Sequence, residues 1–525
     1  MQTVFQADLH DDLRRESGQQ MQVGNGETLR VNQGFQVAKG ALPWIVIAAI
    51  GAVYLTGISA GHCFADDDFG AYVMHAANLV EGRPYTAIHY IPNPKAPWLA
   101  PSNGYPPVYP LLLAPVYRAW GLNLRALKVV TILCFVAFLL IFAMMIRQWL
   151  SPLMSSCALL IIGFNPVFWH HREVLLSEFP YLMFSFAALL AIQRVYKNLA
   201  AKELRIGMAL LVSILFYLTY GTRTIGIALL PALALADVIR FKRPSRFLLS
   251  VLLMTSILIV AQALFLASPK GYVDALRLSP RMAVTNATFY GKTLSSVWQN
   301  GFSKTLQISF ALVFTALAGI RFARKFWTDR SESEFYILSY LAILISWSAQ
   351  IGLRGLLPVL PLYFANGLQE LARWAKAWGR KSQISLAISM LLLVSVTYYG
   401  PLCLDSSKQH EPNVQDPMAQ ELFFSLKAGT APSEVLIFPK PRSLALFTGR
   451  AVASLAPDEA PEDSYEFMKS IHAEILVKPR WSPASWQALI DSQKGQPEEI
   501  FHNSEYQAFR VKVDDDPSAR RQPRD

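Results

Sequence analysis

The chain has 525 residues, a formal net charge of +11, 53% hydrophobic residues and only 16% charged ones, with a mean hydropathy of +0.29. The charged fraction lies well below the ~25% of soluble domains, which excludes an ordinary soluble enzyme. The positive charge does not read as a nucleic-acid surface, because the basic residues fall mostly in short loops between apolar runs. Residues 1–40 are polar, glutamine-rich and of mixed charge, and read as a disordered cytoplasmic tail rather than a cleavable signal. Hydropathy then predicts about eleven spans, at 41–60, 128–147, 153–169, 178–196, 205–220, 225–240, 247–266, 305–322, 335–350, 355–372 and 384–402. The short loops RQWLSP, KNLAAKELR, RFKRPSR, RFARKFWTDR and RWAKAWGRK are rich in Lys and Arg and are expected to face the cytoplasm. That puts the N-terminus inside, the C-terminus outside, and loops 61–127 and 267–304 of a 41–403 membrane domain on the outer side.

In the first outer loop FGAYVMHAANLV has helical periodicity and VYPLLLAPVYRAWG is apolar but short; both predict helices lying along the membrane surface. The later outer segment GYVDALRLSPRMAVTNATFYGKTLSSVWQNG is again amphipathic. Beyond the last span, SEVLIFPK and HAEILVKP read as buried strands, YQAFRVKV alternates as a strand, and PRSLALFTGR reads as a helix ending at Gly449. The expected architecture is therefore a polytopic α-helical membrane protein with amphipathic outer-loop helices. It carries a small C-terminal α/β extracytoplasmic domain over 404–513 and a disordered tail over 514–525. Cys134 and Cys157 lie in apolar runs and read as packing residues, while Cys63 and Cys403 share one membrane face, where a disulfide is open.

The chemistry-bearing residues gather on that outer face. Asp66, Asp67 and Asp68 follow the first span directly, although adjacent carboxylates raise one another's pKa. Glu178 opens a span, with His170, His171 and Arg172 just before it; Arg223 sits in a short outer turn and Arg354 opens another span. An ionisable group entering an apolar span is a functional candidate. One reaction uses such a set: an acceptor hydroxyl attacks the anomeric carbon of a sugar held on a lipid phosphate. It needs a carboxylate for the hydroxyl and cations for the departing phosphate. The three carboxylates could equally solvate a helix N-terminus or hold Mg²⁺, Mn²⁺ or Ca²⁺.

The ordered segments DDDFGAYVMHAANLVEGRPY, NGYPPVYPLLLAPVYRAWG, LSEFPYLMF and LRGLLPVLPLYF resemble the GT-C glycosyltransferases, in their aminoarabinose-transferase-like and protein-mannosyltransferase-like branch. The resemblance runs from 41 to about 402. It rests on Asp68 and Tyr72 at the family's spacing, on the Gly82 turn, and on Pro106–Pro107. It implies an inverting glycosyltransferase that uses a polyprenyl-phosphate-linked sugar and a cell-envelope acceptor (lipid, lipopolysaccharide, glycan or protein), at the outer side of a bacterial inner membrane. It further implies Asp68 as the catalytic carboxylate, assisted by Asp67 and Glu178. Asp66, Tyr72, Tyr105, His171, Arg172, Arg223, Arg277, Arg281 and Arg354 are the substrate-binding candidates, and a divalent cation held by Asp66, Asp67 and Asp68 stays open. Two departures matter. Phe69 stands where the family has Glu after the key Asp, and Tyr105 stands where the aminoarabinose branch has a phosphate-binding Lys. Phosphate charge must then come from Arg354, Arg277, Arg281, Arg223, Lys95 or a metal, with Arg354 preferred. The other classes compatible with the sequence are a transporter of an anionic or lipid-linked substrate and a non-catalytic GT-C-like assembly partner.

Overall fold

The structure, a computed structural model, describes residues 40–95, 104–198, 206–266, 276, 279–299, 303–377, 379, 389, 412–456, 459–491 and 497–511. The tails expected at 1–40 and 514–525, the 384–402 span and Cys403 fall outside these residues, apart from Gly40 and Ser389.

Among the described residues, five helices are long and apolar enough to cross a membrane: Leu124–Ile146, Glu178–Lys197, Thr224–Phe241, Arg246–Phe265 and Lys304–Thr328. Three shorter apolar helices, Gly40–Leu55, Pro152–Phe164 and Ile206–Thr222, fall on further expected spans. The surface of Arg246–Phe265 shows what these helices meet. Leu249, Leu253, Ile257, Val260 and Leu264 recur every three or four residues and are all exposed. An apolar stripe turned outward is a lipid-facing stripe. Inside, Phe135 of Leu124–Ile146 stacks on Phe179 of the Glu178 helix, and Phe138 and Phe142 meet Phe186 edge to face. In lipid such contacts hold helices together by close packing rather than by expelling water.

Two expected spans are interrupted, each beside a proline. Helix Pro152–Phe164 stops at Asn165, because Pro166 cannot donate to the helical ladder and holds Asn165 in an extended conformation. Asn165 then caps the short helix Pro166–His170 by accepting from the Val167 amide. Near Pro358 the chain divides into Gly352–Leu356 and Leu360–Ala377. Both breaks carry chemistry-bearing residues: His170 and His171 in the first, Arg354 in the second.

The Asp68–Glu81 helix departs from the surface helix expected there. Phe69 to Asn78 are all buried. The reason is compositional: Phe69, Ala71, Tyr72, Val73, Met74, Ala76 and Ala77 leave no polar face for water, and a helix apolar all round is buried. It packs between helix Val108–Trp120 and helix Pro441–Thr448 of the C-terminal region. Val108–Trp120 keeps Leu111 and Trp120 exposed, as an interfacial helix does.

The C-terminal region builds on a six-stranded sheet of order β1-β3-β2-β4-β6-β5. Its strands are β1 Tyr90–Ile91, β2 Val435–Ile437, β3 Ala451–Ala453, β4 Ala473–Pro479, β5 Glu498–His502 and β6 Tyr506–Arg510. The first four run parallel and the last two close an antiparallel edge. Strand β1 comes from the first loop, with Tyr90 opposite Val452. A second tie pairs Cys63 with Asn413, where the His62 amide donates to Asn413 Oδ1 at 3.1 Å. Phe64, Phe438, Trp481 and Tyr506 form one aromatic cluster across the two segments. The first loop and the C-terminal region therefore share one hydrophobic core.

Candidate active site

The three adjacent aspartates point to three different partners, because successive residues entering a helix turn by about 100°. Asp66 faces the Pro166–His170 helix, where His170 Nε2 lies 3.1 Å from Asp66 Oδ2 and the Cys63 thiol donates to the same oxygen at 3.4 Å. Burial pushes the Asp66 carboxyl up, but the hydrogen bond and charge of His170, the Arg354 charge and the Cys63 thiol together outweigh it and hold the group at about 2.

Asp67 faces the C-terminal region. Its Oδ1 accepts from the Ser443 amide (2.7 Å) and hydroxyl (2.6 Å). Its Oδ2 accepts from the Arg442 amide (3.1 Å) and Nε (3.0 Å). A carboxylate has about four acceptor positions, and here all four are taken. Asp67 thus serves as the anion at the N-terminus of the Pro441–Thr448 helix, rather than the free second carboxylate that the sequence suggested. Gly70, one turn further on, permits the approach: a Cβ there would stand 2.4 Å from the Arg442 carbonyl oxygen.

Asp68 faces the helical bundle. Arg354 Nη1 donates to its Oδ2 at 2.8 Å, while Arg442 Nη1 (2.6 Å) and the Tyr105 hydroxyl (2.8 Å) donate to its Oδ1. Three positions are filled and one on Oδ2 is open; the side chain remains 24% exposed. Burial works against ionisation, but Arg354 and Arg442 prevail and hold the carboxyl well below the usual carboxylate range. Tyr105 is fixed at both backbone ends. Its amide donates to His75 Nε2, and its carbonyl accepts the Tyr85 hydroxyl at 2.7 Å. Burial lowers His75 to about 4; it is neutral, with Nδ1 donating to the Tyr85 carbonyl at 2.8 Å.

Glu178 lies behind Asp68. Its Oε1 accepts from both Arg223 and Arg354, its Oε2 has no partner, and the side chain is 1% exposed. Arg354 therefore bridges Asp68 and Glu178. The result is one chain of alternating charge, Arg223–Glu178–Arg354–Asp68–Arg442–Asp67, drawn from five separate parts of the sequence. Three guanidiniums balance three carboxylates. Only Asp68, Arg354 and Arg223 keep appreciable exposure, while Glu178, Arg442 and Asp67 lie buried behind them.

The other sequence candidates separate. Tyr72 shares a hydrogen bond with Ser177 Oγ at 2.9 Å and packs on Tyr105, lining the site without touching Asp68. His171 donates from Nδ1 to the Val167 carbonyl, and its buried Nε2 has no partner. Arg172 is engaged with Glu173, the Gly57 carbonyl and the Trp169 ring, so it anchors a loop instead of meeting substrate. Arg281 is exposed on helix Pro280–Ser295 and forms no ion pair with the cluster. Lys95 pairs with Asp463 and Glu459, and Arg277 lies outside the described residues. Cys403, the other half of the disulfide left open by the sequence, lies outside the described residues. Among the described residues no group of three His, Cys, Asp or Glu side chains is disposed to hold a metal ion. The divergence of the three aspartates, each onto a partner of its own, explains why they do not fit one.

Arg442 was not legible as a site residue, although a signal exists. A cation in the first turn of a helix opposes the helix dipole, so an Arg directly after Pro441 asks for an anion brought from elsewhere.

The overall fold recurs in solved structures. ArnT from Cupriavidus metallidurans in the apo state superposes with a TM-score of 0.58 and 12% identity, covering 92% of this chain and 99% of that one. The same protein bound to undecaprenyl phosphate superposes at 0.54 with 11% identity, over 91% and 98% of the two chains. The Archaeoglobus fulgidus oligosaccharyltransferase in complex with Zn and sulfate superposes at 0.56 with 10% identity, over 83% of this chain and 68% of that one. These neighbours are GT-C glycosyltransferases. The chain has the GT-C fold. No family model and no curated protein sequence matches it. Within the GT-C fold, the buried Asp68 helix and the C-terminal sheet enclose the charged chain between them.

Proposed function

We propose that this protein is an inverting glycosyltransferase that moves a sugar from a polyprenyl-phosphate donor to an acceptor in the cell envelope, at the extracytoplasmic face of a bacterial inner membrane. The observation that carries the reading is the pairing of an accessible carboxylate, Asp68, with two accessible guanidiniums, Arg354 and Arg223, in an otherwise buried network. An acceptor hydroxyl donates to the open position on Asp68 Oδ2. Its oxygen attacks the anomeric carbon as the bond from that carbon to the phosphate oxygen breaks, and the electron pair leaves on the phosphate. Arg354 and Arg223 meet the charge that develops there, the larger share of stabilisation in such sites. Asp68 is held so firmly ionised that it is a weak proton acceptor. It orients the hydroxyl and receives the proton late, and the released phosphate takes the proton up afterwards. Glu178 and Asp67 are positioning residues in this scheme. A neighbour of the same fold is described with undecaprenyl phosphate, and an archaeal one with an inhibitory peptide and a dolichol-phosphate, which supports a lipid-phosphate donor.

The test uses purified protein in nanodiscs, a panel of radiolabelled undecaprenyl-phosphate monosaccharides, and detergent-washed envelope fractions as acceptor. At least one donor is discharged onto envelope material by the wild type and not by Asp68→Asn. Equal transfer by that variant, or uptake of an unmodified lipid-linked sugar with no covalent product, would refute the reading.

A further inference from the structure

Among the described residues, the C-terminal region reaches the Asp68 carboxylate with a single side chain. Arg442 Nη1 donates to Asp68 Oδ1 at 2.6 Å and also contacts the Tyr105 hydroxyl, while its Nε is tied to Asp67 at 3.0 Å. The guanidinium is 7% exposed and lies over the Tyr90 ring, 5.3 Å from its centroid. Tyr90 is in the first-loop strand that joins the C-terminal sheet. Asp68 is thus gripped from both sides, by Arg354 on Oδ2 and by Arg442 on Oδ1, from positions 286 and 374 residues away in sequence. Without Arg442, Oδ1 would keep only the Tyr105 hydroxyl, which itself contacts Arg442, and the carboxylate would be held less tightly against rotation about its χ angles.

We propose that Arg442 is a positioning residue for glycosyl transfer: the docked C-terminal domain completes the active site by locking Asp68 in the rotamer that leaves one Oδ2 position open to the acceptor. The idea rests on the glycosyltransferase reading and assigns the domain a part in the chemical step. Arg442 touches neither sugar nor phosphate. It acts through Asp68 and through Tyr105, whose hydroxyl shares Oδ1. The charged and titratable groups around Asp68 include Arg354 from the Gly352–Leu356 helix, Arg442 from the C-terminal domain, Tyr105 from the first loop, Tyr90 from strand β1 and Tyr72 on its own helix, with Glu178 and Asp67 sharing the two guanidiniums. Removing Arg442 leaves Arg354 as the only guanidinium on the carboxylate, so the carboxyl becomes easier to protonate.

The experiment compares Arg442→Ala, Arg442→Lys and Ser443→Ala in the full chain. Ser443 donates only to Asp67 in this cluster, so its loss loosens docking without touching Asp68. Docking is followed by limited proteolysis of the domain. Asp68 is followed by infrared titration of its carboxyl band between pH 3 and 7, assigned by subtraction of the Asp68→Asn spectrum. Transfer is followed with the undecaprenyl-phosphate sugar that the wild type discharges. The expected result for Arg442→Ala is a kcat at least about tenfold lower with KM for the lipid donor little changed, and a protonated Asp68 band at higher pH than in wild type. Arg442→Lys should recover part of both, and Ser443→Ala should leave the band unmoved. An unmoved band in Arg442→Ala, or a rate loss in Ser443→Ala and Arg442→Ala that only tracks proteolysis, would overturn the proposal. If the wild type discharges no donor, the glycosyltransferase reading fails instead, and the infrared result still decides whether Arg442 sets the state of Asp68.

Discussion

Replacing Glu178 with Gln separates a positioning role from a catalytic one. The residue is 1% exposed and its Oε1 accepts from two guanidiniums. The amide keeps an oxygen for those donors but removes the charge between them. Taking one partner from a buried ion pair typically costs about 3–5 kcal/mol, so the lipid-free variant should unfold at a clearly lower temperature. The affinity for a lipid phosphate should move the other way. The network changes from three cations against three anions to three against two, and the excess charge sits on Arg223 and Arg354, the groups proposed to meet the phosphate. At an effective dielectric near 20, one unit charge about 8 Å from another is worth about 2 kcal/mol, or about thirtyfold in the dissociation constant. The assay is thermal unfolding in detergent micelles across a series of undecaprenyl phosphate concentrations. The variant should show a lower starting midpoint and a larger lipid-induced rise than the wild type. The same rise in both proteins, or a smaller one in the variant, would refute the assignment of these two arginines to the phosphate.

Other perturbations probe other parts of the structure. Gly70→Ala places a methyl group against the Arg442 backbone; it should undock the C-terminal domain, seen as faster limited proteolysis of that domain, and lower transfer with it. Arg354→Lys should reduce transfer by 10²–10³-fold, because one ammonium cannot hold Asp68 and Glu178 together as the guanidinium fork does; near-wild-type kcat would count against the bridge. Burial holds His62 and His75 at about 4, whereas the unfolded chain protonates them near 6.5. The stability each contributes is therefore complete above pH 6.5 and is lost as pH falls towards 4, by about 3 kcal/mol per residue. Unfolding midpoints measured from pH 7.5 to 4.5 should fall accordingly. His75→Phe should flatten the slope while costing about 1–3 kcal/mol at neutral pH for the Tyr105 amide left without its acceptor; an unchanged slope would argue against a buried neutral imidazole.

The sequence carried the membrane-spanning architecture plainly, since apolar runs of the right length have few other uses. It also pointed to Asp68, Glu178, Arg223 and Arg354, because an ionisable side chain at the edge of an apolar run is costly to keep. What it could not convey was direction. Asp66, Asp67 and Asp68 look interchangeable as text, yet the turn of the helix sends each to a different partner. The Asp68–Glu81 helix reads as a surface helix although its apolar residues run all round it; the sequence does not say which wall covers them, and that wall, Pro441–Thr448, comes more than 350 residues later. Strand β1 is two residues long and has no periodicity to detect. Arg442 was missed for a related reason: its meaning lies in a contact across the fold rather than in its neighbours in the chain.

The most direct test is a structure of the protein in nanodiscs with undecaprenyl phosphate. The lipid phosphate should lie within hydrogen-bond distance of Arg354 and Arg223, beside the open oxygen of Asp68, with Arg442 still on the far oxygen. A phosphate bound elsewhere with Arg354 and Arg223 unmoved, or no lipid bound at saturating concentration, would contradict it.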